Sequence, residues 1–447
     1  SNSGSSGEDF NIKDSNADNE ATYSQKEKKL LSDLSFSKDK DNIFIMFLDG
    51  FPGFLASDLI KKYPEYVKEM TGFVFYRNTV SAGSFTYPST PAMLGGHKSE
   101  IDKLNAIESK NYGDKYQDIL VRHAKYFSRK GYQSVYCNIP FAKNWKEIEE
   151  TGASVINKYD LIRFRKKNGE PYKTKYAKQA FDIDLKELEK GSLDEKILIK
   201  LCLFKVMPYL HKHQVYYKTE KIFDKGEQFD DSYFYRRYVI TDSLWSSLPS
   251  AINDTSDVPT IKWIRTAAMN RPYHINQFGG PAIEENRNKK FNNAGYSEAI
   301  MTANYEFEFL LKTFKRMKEL DIYDNTTIIL VSDHGISYGG NWHDSAINPV
   351  LMIKERNAVG KFRISDKLMS NADIHSISTY IASGKSDDII DNPLLSDKKR
   401  TLKYFATIHG NPSDLKNNVL KIDSVREISD TIIGKYKWPS IFKESSN

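Results

Sequence analysis

The sequence predicts an α/β fold in which a mostly parallel central sheet is sandwiched by helices, with a largely helical insertion and a smaller C-terminal portion. Two observations support this prediction. Short runs such as residues 43–48 and 328–331 are entirely apolar, which is typical of strands buried on both faces of a parallel sheet. Segments with a helical pattern lie between such runs, and this alternation is the pattern of strand-helix-strand units.

The elements follow one another from residue 43 onwards. Strands are assigned to short apolar runs bounded by turn residues, and helices to longer segments in which apolar residues recur every three or four positions. The predicted strands cover residues 43–48, 73–79, 134–138, 260–267, 327–332 and 349–354, and the predicted helices cover residues 56–70, 88–94, 116–130, 297–320 and 371–383.

The chain is expected to contain one main domain. Residues 1–40 are rich in Ser, Asn, Asp, Glu and Lys, so we expect a flexible linker or cloning remnant outside the fold. We expect residues 41–447 to form this domain. Within it, residues 160–255 are mostly helical and polar, which indicates an insertion that carries substrate contacts or packs on the core.

Composition excludes several classes of function. The chain has 447 residues, and its 65 basic and 59 acidic side chains give a formal charge of +6 with no dense basic run, so nucleic-acid binding is not expected. A mild positive charge suits an anionic envelope surface or a phosphorylated substrate. Mean hydropathy is −0.58 and no apolar run approaches the length of a membrane span. Cys137 and Cys202 are expected to be separate buried thiols.

Two predicted strands end in potential metal ligands. Residues 327–332 are followed by Asp333 and His334, and residues 43–48 are followed by Asp49. Ligands bind beyond the carboxyl ends of the strands in open α/β sheets. Oxygen and nitrogen donors of this kind suit zinc or manganese. Asp-Gly after a strand is also a common turn, so each segment alone leaves both interpretations open.

A hydroxyl-rich turn precedes the short helix predicted at residues 88–94. Thr86 and Ser89 lie at its start, where unpaired N–H groups and the positive end of the helix dipole favour an anion such as phosphate or sulfate. A threonine hydroxyl becomes a nucleophile when a base or metal lowers its pKa, and the Asp/His cluster could hold that metal. The alternative is that both hydroxyls are ordinary helix caps.

The order of these motifs resembles the alkaline phosphatase superfamily, specifically the sulfatase-like branch with phosphoethanolamine transferases and lipoteichoic acid synthases. The resemblance covers residues 42–384. It rests on Asp49, then Thr86-x-x-Ser89-x-Pro91-x-Met93, then Asp333-His334-Gly335. The resemblance implies that Asp49, Thr86, Asp333 and His334 bind one divalent ion, zinc or manganese, with Thr86 also the catalytic nucleophile that forms a covalent phospho-threonine.

The chain departs from the family pattern at informative positions. Thr86 stands where sulfatases have the Cys that becomes formylglycine, and Thr90 replaces their Arg. The resemblance therefore argues against sulfate-ester hydrolysis by the usual mechanism. The transferases commonly have Glu as first ligand, whereas this chain has Asp49, as phosphodiesterases and sulfatases do. The residues for a second metal site are not apparent, so we expect a single ion.

Other residues are candidates for substrate binding. Asn270-Arg271-Pro272-Tyr273 is similar to the family's His-x-Pro-Tyr/Phe element, with Asn270 in place of the His. Arg271 could clamp phosphate oxygens and His274 could replace the missing imidazole; the alternative for both is an exposed loop position. Ser89 at the helix start completes this set.

His343, in Gly-Gly-Asn-Trp-His, resembles a His that contacts the substrate phosphate and leaving group in phosphoethanolamine transferases. An imidazole can protonate a departing alkoxide near neutral pH. We therefore expect His343 to be catalytic.

The resemblance implies a metal-dependent transferase that moves phosphoethanolamine or phosphoglycerol from a phospholipid donor to an envelope lipid or glycan acceptor. Family members act outside the cytoplasmic membrane, so we expect a periplasmic or outer-face location, with membrane anchoring through an upstream segment missing from this fragment. Two alternatives remain: a phosphodiesterase or phosphatase-type hydrolase of the same fold, and a non-catalytic module that binds lipid or protein.

Overall fold

A computed structural model describes residues 23–157, 160–162, 164, 231–270, 273, 275, 295–336, 342–384, 392–407 and 412–440. Predictions for residues 165–230, which form most of the insertion and include Cys202, lie outside this range. No helix within the described ranges is both long and apolar enough to cross a membrane.

One large sheet forms the centre of the protein. The strands are β1 (Asn42–Leu48), β2 (Phe73–Tyr76), β3 (Thr79–Val80), β4 (Gln133–Cys137), β5 (Ser154–Ile156), β6 (Thr260–Thr266), β7 (Thr326–Val331), β8 (Leu351–Lys354), β9 (Arg363–Ser365), β10 (Met369–Ser370), β11 (Leu402–Thr407) and β12 (Ile422–Ile428). Eight of them form the central sheet in the order β5-β4-β6-β1-β7-β8-β2-β9, and β8 alone runs antiparallel to its neighbours. The predicted mostly parallel α/β fold is confirmed.

Helices cover both faces of this sheet. They are α1 (Gln25–Asp33), α2 (Gly53–Lys62), α3 (Tyr66–Glu69), α4 (Thr86–Gly95), α5 (Ile101–Asn105), α6 (Tyr112–Arg129), α7 (Trp145–Glu149), α8 (Asp231–Ala251), α9 (Tyr296–Glu319), α10 (Trp342–Ala346) and α11 (Asp373–Ser383). Alternate residues of β1 point to opposite cores: Phe44 packs with residues of α2, α8 and α9, and Ile45 packs with residues of α4, α6 and α11. Burial on both faces explains why residues 43–48 of β1 and residues 328–331 of β7 are all apolar.

Several element boundaries differ from the sequence prediction. The helix predicted at residues 56–70 is two helices, α2 and α3, because Pro64 disfavours helical geometry at the residue before it. The strand predicted at residues 73–79 is divided into β2 and β3. The β11–β12 hairpin of the C-terminal portion was not predicted, because β12 is largely exposed and polar and gives little hydrophobic pattern.

The flexible segment predicted for residues 1–40 extends too far. Residues Gln25–Asp33 form α1, whose start is fixed by a reciprocal capping box between Ser24 and Glu27. Leu30 and Phe36 are buried in the same core as α2, at 3% and 0% exposure. The folded part therefore begins before residue 40.

A buried ion cluster fixes the start of α11. The Asp373 carboxylate is fully buried and lies 2.6 Å from Arg400 Nη2 and 2.9 Å from His97 Nε2. Burial lowers the pKa of His97, but hydrogen bonds to Asp373 and Glu100 outweigh burial and raise it to about 10. His97 is thus a structural cation, joining the turn after α4 to α11 and to the segment before β11.

Candidate functional site

The predicted metal ligands meet at the carboxyl ends of two neighbouring strands. β1 and β7 pair in parallel, so Asp49 after β1 and Asp333 and His334 after β7 reach the same edge of the sheet. Their exposures are 1%, 0% and 4%. One donor atom from each lies within 4.8 Å of the other two, and this is the one such cluster found among the described residues. Three buried donors converge here.

Tight turns after both strands hold these donors in place. The Gly50 N–H donates to Asp333 Oδ1 at 3.0 Å, so the β1 turn orients the β7 ligand. Gly50 has φ +74°, and a Cβ there would lie 2.7 Å from Ile336 Cδ1, so a larger residue would be strained and would collide. The backbone of Asp333 is fixed as well, because Ser81 Oγ and Asn371 Nδ2 each donate to its carbonyl oxygen at 2.6 Å.

Thr86 completes the cluster from a third element. It is the first residue of α4, which begins two residues before the predicted start at residue 88, and its side chain is partly exposed. Its hydroxyl Oγ1 lies 3.3 Å from His334 Nε2 and 3.5 Å from Asp49 Oδ1. The hydroxyl therefore sits at a helix N-terminus and next to two predicted ligands.

The donor atoms have the spacing of a tetrahedral ion site. Besides the two Thr86 distances, His334 Nε2 lies 3.4 Å from Asp333 Oδ2. Four ligands about 2.0–2.1 Å from a tetrahedral zinc ion are about 3.3–3.4 Å apart. Asp333 Oδ2 is buried and accepts no hydrogen bond from the described residues, as expected of an atom that needs a cation. These residues therefore fit a single divalent ion.

The protonation of His334 also suits a metal ligand. Its Nδ1 lies 2.8 Å from the Gly335 carbonyl oxygen, which can only accept, so Nδ1 carries the proton. The Nε2 lone pair then faces Thr86 and Asp333. A backbone partner of this kind is usual for metal-binding histidines.

Without a cation, the two carboxylates are unfavourably placed. Burial, followed by repulsion from Asp49, raises the pKa of Asp333 above its ordinary value. A divalent ion between them would remove both effects, because it favours the ionised form.

Arg265 is a site residue that the sequence analysis missed. It is the penultimate residue of β6, next to β1 in the sheet, and its Nε donates to Asp49 Oδ2 at 2.8 Å while Nη2 contacts the same oxygen. Nη1 faces the Asn138 carbonyl oxygen at 3.4 Å. The guanidinium thus orients Asp49 and leaves its Oδ1 directed towards Thr86. An arginine near the carboxyl end of a predicted buried strand was the available signal.

The candidates after β6 are only partly within the described residues. Asn270 approaches the metal cluster, since its Oδ1 lies 3.1 Å from where a Gly50 Cβ would be. Arg237 Nη2 donates to the carbonyl oxygens of Ala267 and Asn270 at 3.0 and 2.7 Å, which shapes this turn. Arg271 and His274 lie outside the described residues, so their predicted roles stay predictions.

Ser89 lies behind Thr86 rather than beside it. It is fully buried, and its hydroxyl donates to the Gly83 carbonyl oxygen at 2.9 Å and lies 3.2 Å from Ser81 Oγ. These contacts fix the loop that leads into α4. A direct substrate contact by Ser89 stays a prediction.

His343 lies on α10, one residue after Trp342, whose indole ring centroid is 6.0 Å from that of His334. His343 Nε2 lies 3.7 Å from Asp423 Oδ2 of β12. Burial lowers the pKa of His343, and the Asp423 carboxylate opposes this. The helix that carries His343 thus borders the site, while its contact with substrate stays a prediction.

Glu306 is a buried acid beneath the site. It is fully buried in α9 and accepts a hydrogen bond from Thr266 Oγ1 at 2.8 Å, at the end of β6. Burial raises the pKa of Glu306 to about 8, although hydrogen bonding lowers it and the Asp49 charge adds to the rise. Glu306 is therefore mainly protonated at neutral pH, which limits the negative charge near Asp49 and Asp333.

This leads to a prediction for the metal-free protein. Since the pKa of Glu306 is about 8 when folded and 4.5 as its ordinary value, folding takes up a proton between these values, and stability falls as pH rises from 4.5 through 8. Glu306→Gln should remove this loss. From pH 5 to 8 its free energy of unfolding should therefore increase relative to wild type by up to about 1.4 kcal/mol per pH unit, and its melting temperature should rise relative to wild type in the same direction. If the melting temperatures of wild type and Glu306→Gln changed with pH in parallel, the prediction would be wrong. Glu308→Gln, on the same helix, is the control.

No protein-family model matches the sequence, and no curated protein matches it by sequence. Solved structures do resemble it. A protein of the alkaline phosphatase superfamily from Vibrio parahaemolyticus matches at 13% identity over 84% of this chain and 79% of that chain, with a TM-score of 0.43. A phosphonate monoester hydrolase from Silicibacter pomeroyi matches at 13% identity over 83% and 80%, with a TM-score of 0.43.

The lipoteichoic acid synthase LtaP from Listeria monocytogenes matches at 9% identity over 85% of this chain and 83% of that chain, with a TM-score of 0.40. Sulfatases are among the other matching structures. These structures belong to the superfamily that the motifs resemble. At such identities and TM-scores the likeness is one of overall fold and carries no information on activity.

Proposed function

We propose that this chain is a divalent-metal-dependent transferase that moves phosphoethanolamine or phosphoglycerol from a phospholipid to an envelope lipid or glycan through Thr86. The observation that supports this most is the position of the Thr86 hydroxyl, 3.3 Å from His334 Nε2 and 3.5 Å from Asp49 Oδ1. An ordinary helix cap has no need of three buried metal ligands around its hydroxyl. This placement supports the proposed role of Thr86 as an activated nucleophile.

Asp49, Thr86, Asp333 and His334 would hold the ion, and zinc or manganese suits this donor set. The bound ion would lower the pKa of the Thr86 hydroxyl and stabilise negative charge on the phosphoryl oxygens. The residues around it supply positioning. Arg265 orients Asp49, and Ser89 holds the loop before α4.

Thr86 carries the transferred group between the two substrates. The Thr86 hydroxyl releases its proton to solvent, and its oxygen attacks the donor phosphorus. The bond from phosphorus to the lipid oxygen breaks, and His343 supplies a proton to the departing lipid oxygen. The first turn of α4 directs N–H groups and its positive dipole end towards the phosphoryl oxygens. An acceptor hydroxyl then attacks phosphorus, loses its proton, and releases the Thr86 oxygen. Asn270, Arg271 and His274 would bind the donor phosphate.

The reaction would take place outside the cytoplasmic membrane, in the periplasm or on its outer face. Its donor is a membrane phospholipid, so we propose that the protein works at the membrane surface. A nucleic-acid partner has no part in this proposal, because the +6 charge includes no dense basic run.

A hydrolase of the same fold is the second candidate. Asp49 as first ligand and Asn270 in place of the family's His are the features that favour it. In that case water resolves the intermediate on Thr86.

An acceptor-dependence experiment tests the proposed function. The metal-loaded chain is given p-nitrophenyl esters of phosphoglycerol and phosphoethanolamine, with and without a sugar or glycerol acceptor, and products are separated by mass spectrometry. A transferase should form the acceptor product and should release p-nitrophenol faster as acceptor is added. Phosphoglycerol or phosphoethanolamine as the only product at every acceptor concentration would establish the hydrolase instead.

A further inference from the structure

A stacked pair of aromatic side chains borders the Thr86 hydroxyl. Phe85 immediately precedes Thr86, and its ring stacks on Trp342 with centroids 5.1 Å apart and an interplanar angle of 16°. Both rings lie beside His334, with centroid distances of 6.3 Å for Phe85 and 6.0 Å for Trp342. Phe85, Thr86 and Trp342 are each partly exposed. A molecule that reaches the hydroxyl therefore also meets the aromatic pair.

The pair is held rigidly. Trp342 Nε1 donates to the Ser84 carbonyl oxygen at 3.1 Å, which ties the indole to the loop before α4. The following turn of α10 is fixed from the C-terminal portion: Arg426 Nη1 contacts Asp344 Oδ1 at 2.7 Å, and Trp438 Nε1 donates to the Asp344 carbonyl oxygen at 2.8 Å. Fixed aromatic groups lose little conformational entropy when a ligand binds.

Polarity changes from one side of the site to the other. The sheet order β6-β1-β7 places Arg265, Asp49 and Asp333 in succession along the carboxyl edge, and Trp342 belongs to the segment that follows β7. The cationic Arg265 is therefore on the β6 side of Asp49, while Phe85 and Trp342 stand next to His334. A phosphoryl group suits the charged centre, and an uncharged ring suits the aromatic side.

We propose that Phe85 and Trp342 form a subsite for the sugar ring of a glycan acceptor, an inference that rests on the proposed function. The C–H face of a pyranose is apolar and carries partial positive charge, so it packs on the negative face of an aromatic ring, while its hydroxyls stay at the wetter rim. One hydroxyl would then attack phosphorus on Thr86, transfer its proton to the departing Thr86 oxygen, and break the bond between that oxygen and phosphorus. The aromatic pair thus selects a sugar over glycerol as acceptor.

Acceptor kinetics test this subsite. With p-nitrophenyl phosphoglycerol as donor, N-acetylglucosamine should increase p-nitrophenol release with saturation in wild type. Trp342→Leu should raise the apparent KM for the sugar about tenfold or more and leave kcat and the KM of glycerol nearly unchanged. Trp342→Phe should restore much of the sugar affinity, because it keeps an aromatic face. Trp145→Leu, at the start of α7, is the matched control.

A second measurement does not depend on turnover. In Thr86→Ala protein, N-acetylglucosamine should change tryptophan fluorescence, and Trp342→Phe in that background should lose the change. Equal sugar KM values in wild type and Trp342→Leu would overturn the inference. So would a Trp342→Leu effect confined to the KM of p-nitrophenyl phosphoethanolamine, since the pair would then bind an ammonium head group. If Thr86→Ala keeps full turnover, the proposed function itself fails, whatever Trp342 does.

Discussion

Replacing Thr86 by alanine should lower turnover by at least about a thousandfold while about one divalent ion per chain stays bound. The proposal assigns the transferred phosphorus to this hydroxyl, whereas Asp49, Asp333 and His334 remain as ion ligands in the variant. Steady-state kinetics with a p-nitrophenyl phosphodiester and elemental mass spectrometry on the same preparation measure both quantities. Thr86→Ser should keep part of the activity because it keeps a hydroxyl.

Thr313→Ala is the matched control for this variant. Thr313 is a buried helical threonine of α9 whose hydroxyl donates to the Phe309 carbonyl oxygen at 2.8 Å, so the same substitution is made away from the metal cluster. It should leave turnover near wild type. Full activity in Thr86→Ala would eliminate the covalent mechanism, and loss of both metal and activity would show that Thr86 acts mainly as a ligand.

Asp333→Asn should abolish metal binding and yet stabilise the metal-free protein. Its Oδ1 accepts from the backbone N–H groups of Gly50 and His334, both at 3.0 Å, and an amide oxygen can keep these bonds. The neutral side chain removes a buried charge that faces Asp49 and whose pKa is raised by burial. Metal content should fall from about one ion per chain to nearly none, and the melting temperature in chelator should rise by a few degrees.

Asp373→Asn serves as the control for Asp333→Asn and should have the opposite effect on stability. Asp373 is equally buried, but His97 and Arg400 hold its pKa low against the effect of burial. Removing its charge should destabilise the protein by on the order of 3 kcal/mol and leave metal content unchanged. If Asp333→Asn retained the ion, or if both variants lost stability alike, the assignment of Asp333 as a ligand would be wrong.

The parts of this protein that could be predicted from sequence are those with a strong local signal. β1 and β7 are buried on both faces, so their apolar runs identified them and placed Asp49, Asp333 and His334 at one sheet edge. The pattern was weak where a strand is short or exposed, as in β5, β9 and β12. α1 was assigned to a linker because most of its residues are polar or charged, and Leu30 is its one fully buried apolar residue.

The rest of the site depends on contacts between distant parts of the chain. Arg265 and Asp49 are 216 positions apart, and no local pattern relates them. Likewise, Trp342 meets Phe85 only because Ser84, Asp344 and Arg426 bring α10 to the start of α4. Similarly, no local pattern indicated that the Ser89 hydroxyl donates to the Gly83 carbonyl oxygen, and its predicted substrate contact stays a prediction. A motif fixes which residue types are present, and tertiary contacts decide which atoms face the substrate.

The most direct test of the central claim is to trap the group on Thr86. The metal-loaded chain is mixed with p-nitrophenyl phosphoglycerol in the absence of acceptor, quenched in acid within milliseconds to seconds, and digested for peptide mass spectrometry. We expect a phosphoglycerol adduct on Thr86 that disappears when acceptor is added and is absent from Asp333→Asn protein. An unmodified Thr86 at every time point, with full release of p-nitrophenol, would contradict the covalent transfer proposed for this chain.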